Sequence, residues 1–210
     1  MRIRVADPER DARRVAEIYR PAVEGSPVSF EEVAPEDSEM AARMRRVLER
    51  LPWLVAEADE ASDAGGGGGP VVGYAYASGH RDRAAYRWSV DISVYVDGEW
   101  QGRGVGRALY DALLDILRRQ GFANAFAGVT LPNPASVALH EAIGMRRVAT
   151  YERVGYKNGA WHDTAWFGMR LSEAGEASSG HPGDPPAEPI PCPDLPDREF
   201  RDPSDPISRG

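Results

Sequence analysis

Cysteine is almost missing from this 210-residue chain: Cys192 stands alone. No internal disulfide can form, and the small disulfide-framework folds are excluded. Histidine is sparse too, and His80, His140, His162 and His181 are scattered without metal-ligand spacing, so no zinc or other metal site is expected. Lysine occurs once, at Lys157, whereas arginine is abundant, a bias read as coding-DNA composition. Positive charge is in deficit, 25 Lys+Arg against 33 Asp+Glu, for a net charge of −8. That balance is opposite to the basic footprint of a general nucleic-acid binder. No run of 18 or more apolar residues is present, so no membrane-spanning helix is expected. The opening Met1-Arg2-Ile3-Arg4-Val5 enters a strand pattern directly, without an apolar signal segment. The expectation is a cytoplasmic protein that uses no metal, membrane or nucleic acid.

The chain does hold material for one sizeable core: 42% of its residues are hydrophobic. Apolar spacing predicts a short strand at Ile3–Val5, then helices at Asp11–Val23 and Glu36–Leu51. Strands at Trp53–Ala58 and Val71–Ala77 flank a loop from Asp59 to Pro70, centred on Gly65–Gly69. Those five glycines lack the following lysine and hydroxyl of a phosphate-binding P-loop, and read as a flexible hairpin connection. From Trp88 to Val96 the alternation is strict, with Trp88, Val90, Ile92, Val94 and Val96 on one face and Ser89, Asp91, Ser93 and Tyr95 on the other. A helix at Val105–Gln120 carries Leu109, Leu113, Ile116 and Leu117 on one stripe and stops at Gly121. A strand at Asn124–Val129, a helix at Asn133–Ile143 and strands at Arg146–Val154 and Trp161–Leu171 complete the order. Asn133-Pro134 is a helix start, with Asn as cap and Pro in the first turn. The order β-α-α-β-β-β-α-β-α-β-β implies a mixed α/β sheet, neither Rossmann nor TIM barrel. The domain is expected to span residues 1–171. Residues 172–210, dense in Pro, Gly, Ser, Asp and Glu, carry too little apolar surface to offset ordering entropy and are expected to be disordered or loosely draped.

Two segments carry chemistry. Gln101-Gly-Arg103-Gly104-Val105-Gly106 lies between the alternating strand and the amphipathic helix. Small residues at a helix mouth expose backbone N–H groups to an anion, and the helix dipole favours that anion. The spacing is not the dinucleotide fingerprint Gly-x-Gly-x-x-Gly, and Arg103 suits a heavily charged phosphate. Read alone, the loop is a moderate signal, since a tight turn before a helix also favours glycine. Asn133-Pro-Ala-Ser136-Val-Ala-Leu-His140 then places Ser136 and His140 four apart on one helical face.

With Gln101-x-x-Gly104-x-Gly106 after a strand, then Asn133-x-x-Ser136 and His140-Glu141-x-x-Gly144-Met145, the chain resembles the GNAT acetyltransferases. Val28-Ser29-Phe30, Pro52-Trp53-Leu54, Gly73-Tyr74-Ala75-Tyr76, Ala85-Tyr86-Arg87-Trp88, Ser93-Val94-Tyr95-Val96 and Gly155-Tyr156-Lys157 with Trp161-His162-Asp163 are similar to the phosphinothricin/methionine-sulfoximine branch, over about Ile3 to Leu171. The resemblance implies the GNAT acyltransferase fold, a central mixed, mostly antiparallel sheet flanked by helices and splayed at the acetyl-CoA site. It implies acetyl-CoA as cosubstrate, held by the backbone of Val94 and Val96, by Gln101, Arg103, Gly104, Val105, Gly106 and Ala108, and by Asn133 and Ser136 beside the pantetheine arm. It implies Asp91 as catalytic base and His140 as a second catalytic group. Phe30, Arg81, Arg83, Tyr86, Tyr95 and Thr164 match positions lining an amino-acid pocket. The family commonly forms homodimers.

These residue types suit amine acetylation. An amine must lose a proton before attacking a thioester, and a carboxylate with a pKa raised by burial can take it. A backbone N–H near Val96 can stabilise the developing oxyanion, and a histidine can donate to the leaving thiolate. The ordered part holds no cysteine, in keeping with direct attack in a ternary complex. Asp91 departs from the glutamate usual at its position and is one methylene shorter. Its plainer reading is a solvated strand carboxylate, and that of His140 is a helix-surface histidine. His80 reads as a loop residue, and His162-Asp163 as part of a closing hairpin. Arg81 and Arg83 favour an acceptor bearing carboxylate or phosphinate, or are simply solvated loop arginines. The alternatives are acetylation of a protein N-terminus or a polyamine, or acyl-CoA binding without turnover.

Overall fold

The computed structural model describes residues 1–59, 69–171 and 186–195. Its element order is β1 (Arg2–Val5), α1 (Pro8–Glu24), α2 (Asp37–Leu48), β2 (Trp53–Glu57), β3 (Val71–Gly79), β4 (Ser89–Val96), α3 (Val105–Gln120), β5 (Asn124–Thr130), α4 (Pro134–Ala142), β6 (Arg146–Lys157) and β7 (Ala160–Arg170). This is the predicted order, with α3 at the predicted bounds. Most of the glycine-rich connection, residues 60–68, lies outside the described residues, as does His181.

Seven strands form one sheet in the order β1-β2-β3-β4-β5-β7-β6. Every neighbouring pair is antiparallel except β4 and β5, which run parallel. Both sheet faces are covered in the middle, so every residue of β2 is buried, not every second one. Leu54 and Ala56 join the core under α3, with Leu109, Leu113 and Leu117. Trp53 and Val55 join the core under α1 and α2, with Val15, Met40, Met44 and Tyr74.

Local chemistry sets the helix ends. Asp7 caps α1 by accepting from Glu9 N at 3.0 Å, with Pro8 in the first turn. At the end of α3, Gly121 takes φ +88°, which lets Phe122 N donate to Leu117 O at 3.1 Å. Asn133 caps α4, its Oδ1 accepting from Ser136 N at 3.1 Å.

The parallel contact is short. Only Ser89, Val90 and Asp91 pair with Asn124, Ala125 and Phe126. Beyond that rung β4 stays on β3 as far as Val96, while β5 stays on β7 as far as Thr130. The sheet therefore forks, and Ile92 to Val96 present a backbone edge that pairs with no strand on the β5 side among the described residues. The fork positions the site.

Residues 186–195 run along the domain, held mainly by hydrogen bonds. Ile190 N donates to Gln120 O at 2.8 Å, Cys192 N to Arg50 O at 2.9 Å, and Trp88 Nε1 to Ala187 O at 2.8 Å. Gln120, 1% exposed, returns a bond from Nε2 to Ile190 O at 2.7 Å. Backbone hydrogen bonding docks this stretch, with Cys192 and Leu195 against the α3-side core. The rest of residues 172–210 lies outside the described residues.

Candidate active site

The fork opens a cleft lined by Ile92, Ser93, Val94 and Tyr95 of β4, Gly128, Val129 and Thr130 of β5, Asn133, Ser136 and His140 around α4, Tyr110 of α3, and Val28. Five residues expected at the site, Val94, Tyr95, Asn133, Ser136 and His140, thus line one cleft. Strand alternation sorts the β4 residues onto two sides. Val94 and Val96 pack on the α3 side, whereas Tyr95 packs toward α1 and α2, its ring stacked on Tyr74 at 5.3 Å and edge-on to Tyr19 at 4.9 Å.

On the α3 side the glycine loop adopts the conformation its residues permit. Gly102 and Gly104 sit at φ +73° and +82°, in the left-handed region. Gly104 is the N-cap of α3 and brings no side chain to cap it. The first N–H groups of a helix have no internal partner, so those of Val105, Gly106 and Arg107 are not satisfied within α3. A Cβ at Gly106 would meet Leu139, Val96 and Val94 at 3.2, 3.6 and 3.9 Å, so the small residue seats the start of α3 on β4 and α4. Gln101 Nε2 donates to Val96 O at 3.2 Å and ties the loop to the strand. Arg103 is exposed above the Trp100 ring at 5.1 Å, and Ala108 N closes the first turn onto Gly104 O at 3.0 Å. With Asn133 Oδ1 used as a cap, its amide N–H groups remain as donors toward the cleft. Phosphate-binding amides and a free strand edge for an amide-bearing arm fit the pyrophosphate and pantetheine of a coenzyme A thioester.

His140 is 3% exposed and not a surface histidine. Its Nδ1 donates to Ser136 O at 2.7 Å, and Tyr110 OH, at 3.1 Å, donates to its Nε2. Burial holds its pKa below the ordinary value, with the Ser136 carbonyl pulling the other way. The ring is therefore neutral, and its hydrogen bonds fix one tautomer. Tyr110 was missed in the sequence because it lies among the apolar residues of α3; burial raises its pKa well above the usual value.

Across the fork, Asp91 occupies the last rung of the β4–β5 ladder, opposite Phe126 and Ser78. It is not simply solvated: its Oδ1 lies 2.6 Å from His80 Nδ1. Burial pushes the Asp91 carboxyl up from its ordinary pKa, while the His80 hydrogen bond and the charge of Arg81 pull it back. Thr164 Oγ1 and Trp166 Nε1 are buried on β7 without hydrogen-bond partners among the described residues. Both residues border Gly128, where a Cβ would meet them at 3.4 and 3.6 Å. Arg81 lies over the Trp166 ring at 5.9 Å, and Tyr86 stands edge-on to His80 at 5.9 Å. Arg83 is exposed at the cap of the turn Ala84–Tyr86 and is not brought into this group.

The approach on this side is shaped by a pinned loop. Lys157, 8% exposed, donates from Nζ to the carbonyls of Val23, Ser29 and Glu31. Arg43 grips Glu31 with bonds of 2.8 and 3.0 Å. The loop sets Val28 in the cleft wall and lays the Phe30 ring on Gly155, where any Cβ would clash at 2.3 Å. His162 bonds the Lys157 carbonyl at 3.0 Å and Asp163 accepts from Arg153 N at 2.8 Å, so that pair closes the β6–β7 hairpin.

Among the described residues no three of His, Cys, Asp or Glu are grouped to hold a metal ion, and no helix is long and apolar enough to cross a membrane. A sheet forked at its one parallel contact, with a glycine-loop helix mouth beside the fork, defines an acetyl-group transferase of the GNAT class. The family description "Acetyltransferase (GNAT) domain" matches residues 5–166, and the chain belongs to this family. It is 38% identical over 157 residues to the phosphinothricin N-acetyltransferase of Streptomyces viridochromogenes, covering 75% of this chain and 81% of that protein. It is 34% identical over 174 residues to the L-methionine sulfoximine/L-methionine sulfone acetyltransferase of Salmonella typhimurium, covering 82% and 96%. The crystal structure of a phosphinothricin acetyltransferase from Sinorhizobium meliloti in complex with AcCoA superposes with a TM-score of 0.77 at 33% identity, covering 90% of this chain and 94% of that one.

Proposed function

We propose that this protein transfers the acetyl group of acetyl-CoA to the amino group of a small amino acid or analogue of the phosphinothricin or methionine sulfoximine type. The observation that carries the reading is the two-sided fork: anion-binding amides open on one side of β4, and a partly buried carboxylate lies on the other. Val105, Gly106 and Arg107 N–H groups, with Arg103, hold the pyrophosphate. The Val94–Val96 edge and the Asn133 amide hold the pantetheine arm, beside Ser136. When bound, acetyl-CoA supplies the acetyl group as an activated thioester.

The chain's own residues then act on the acceptor. Thr164, Trp166, Tyr95 and Phe30 shape its pocket, and Arg81 pairs with its acidic group. Asp91 and its hydrogen-bonded partner hold the charge that lets the ammonium lose a proton. A neutral His140, with Tyr110 donating to it, holds a fixed polar wall on the thioester side. Its Nδ1 proton is committed to Ser136 O, so we assign it positioning of the Tyr110 hydroxyl and not direct proton delivery to sulfur. We further propose a homodimer, with exposed Val148, Val154, Tyr156 and Trp161 of the β6–β7 hairpin facing the second copy. Sedimentation at twice the chain mass supports it and a monomer overturns it.

The test is thiol release by the full chain with acetyl-CoA across amino acids, methionine sulfoximine and phosphinothricin. Acceptor-dependent release of free coenzyme A is expected. Acetyl-CoA binding with no release above background for any amine would leave a binding protein and refute transfer.

A further inference from the structure

Asp91 Oδ1 is occupied by an imidazole. His80 Nδ1 lies 2.6 Å away, a charge-assisted distance, and the contact is set by the hairpin register that places Ser78 opposite Asp91. The His80 ring is half-buried and held from several directions. It stacks on Phe126 at 4.6 Å, meets Trp166 edge-on at 6.1 Å and Tyr86 edge-on at 5.9 Å. Trp166 in turn borders Gly128 of the cleft wall. The charged and titratable groups around it are Asp91 on β4, Arg81 on its own loop and Tyr86 on the following turn. A carboxylate acceptor at Nδ1 fixes the tautomer with the proton on Nδ1, leaving the lone pair of Nε2 available. Among the described residues no hydrogen bond engages Nε2.

We propose that His80 is the catalytic base for the acceptor amine, and that Asp91 is a positioning residue that orients it and stabilises its charged form. The arrangement follows the physical logic of a carboxylate-oriented imidazole. It also resolves the short reach of Asp91, because the ring extends the proton-accepting atom beyond the carboxylate. In the step, one ammonium proton passes to His80 Nε2 and the freed nitrogen lone pair forms the bond to the thioester carbonyl carbon. The C–S bond breaks with its electron pair on sulfur. The second N–H proton, lost as the amide forms, neutralises the thiolate, and His80 returns its proton to water.

This inference rests on the acetyl-transfer reading, and two measurements on the full chain separate them. In the unliganded protein, nitrogen-resolved NMR of the His80 imidazole is expected to show the Nδ1–H tautomer near neutral pH. Asp91→Asn is expected to abolish that preference. Steady-state kinetics of His80→Gln are expected to show kcat lower by about 10²-fold or more, an unchanged acetyl-CoA Kd and loss of the acidic limb of the pH–kcat/KM profile. Adding Asp91→Glu in the His80→Gln background is expected to recover at least part of kcat, since the longer carboxylate reaches the amine itself. An Nε2–H tautomer in the wild type overturns the proposal even if His80→Gln fails to fold. So does a folded His80→Gln that keeps wild-type kcat and pH profile. Absence of turnover by the wild type with every acceptor would instead refute acetyl transfer.

Discussion

Two histidines flank the fork, and their surroundings set them apart. His140 has both ring nitrogens engaged, by Ser136 O and Tyr110 OH, and is 3% exposed. His80 has one nitrogen on a carboxylate and its ring among aromatics that reach the cleft wall. The first is buried, and burial holds its pKa below the ordinary value. The second has no hydrogen bond on Nε2 among the described residues. Residue type alone does not assign a role to a histidine; the partner of each nitrogen does.

That division can be broken most forcefully at Asp91. Asp91→Asn removes the charge that orients His80 and is expected to lower kcat by about 10²–10⁴-fold, with acetyl-CoA affinity unchanged by calorimetry. Equal loss of cofactor binding would erase the distinction between the sides. The same variant should not lose thermal stability at pH 7. The folded pKa of Asp91 is raised by burial from 3.8, so its ionised form is disfavoured in the native state. That cost is absent below the unfolded pKa and grows as pH rises through the folded one. Removing the charge therefore leaves Tm at pH 7 level or higher, a separation of activity from stability.

The next largest effect is expected on the other histidine. His140→Gln leaves a buried carbonyl and a buried hydroxyl poorly paired and should cost about 1–3 kcal/mol in denaturant unfolding. Because the folded pKa of His140 is lowered from 6.5, the unfolded chain takes up its proton first as pH falls. Wild-type stability should therefore drop below about pH 6.5 and level off once the native imidazole protonates. The variant should lack that segment of the curve, and an unchanged curve would show that His140 is not held neutral.

Gly104→Val sharpens the comparison from the cofactor side. A β-branched residue at φ +82° is strained by about 1–2 kcal/mol and displaces the helix-mouth amides. The KM for acetyl-CoA should rise by about tenfold, while the KM for the acceptor stays put. The smallest effect is expected at Arg81, whose exposed guanidinium in high dielectric contributes about 0.2–1 kcal/mol. Arg81→Ala should raise the acceptor KM by a few fold, and only for acceptors with an acidic group.

How far the sequence revealed this follows from distance along the chain. Helix α3, the alternation of β4 and the Asn133 cap are local features, and each was legible to within a residue or two. The glycine loop was legible as a small-residue helix mouth, whereas its role toward acetyl-CoA rests on the family resemblance. His80 was not legible, because its meeting with Asp91 depends on the β3–β4 register across a turn, which periodicity does not encode. Tyr110 was hidden on an apolar stripe where a hydroxyl looks like one more core residue. Lys157 looked like a relic of base composition, yet its ammonium pins three loop carbonyls.

We propose that the forked strand divides the molecule into a thioester side and an acceptor side. A crystal structure of the full chain with coenzyme A tests this most directly. The pyrophosphate is expected on the amides of Val105, Gly106 and Arg107 and the pantetheine arm along Val94–Val96, with His80 and Asp91 untouched across the fork. Coenzyme A seated on the Asp91 side, or a glycine loop closed against it, would contradict the account.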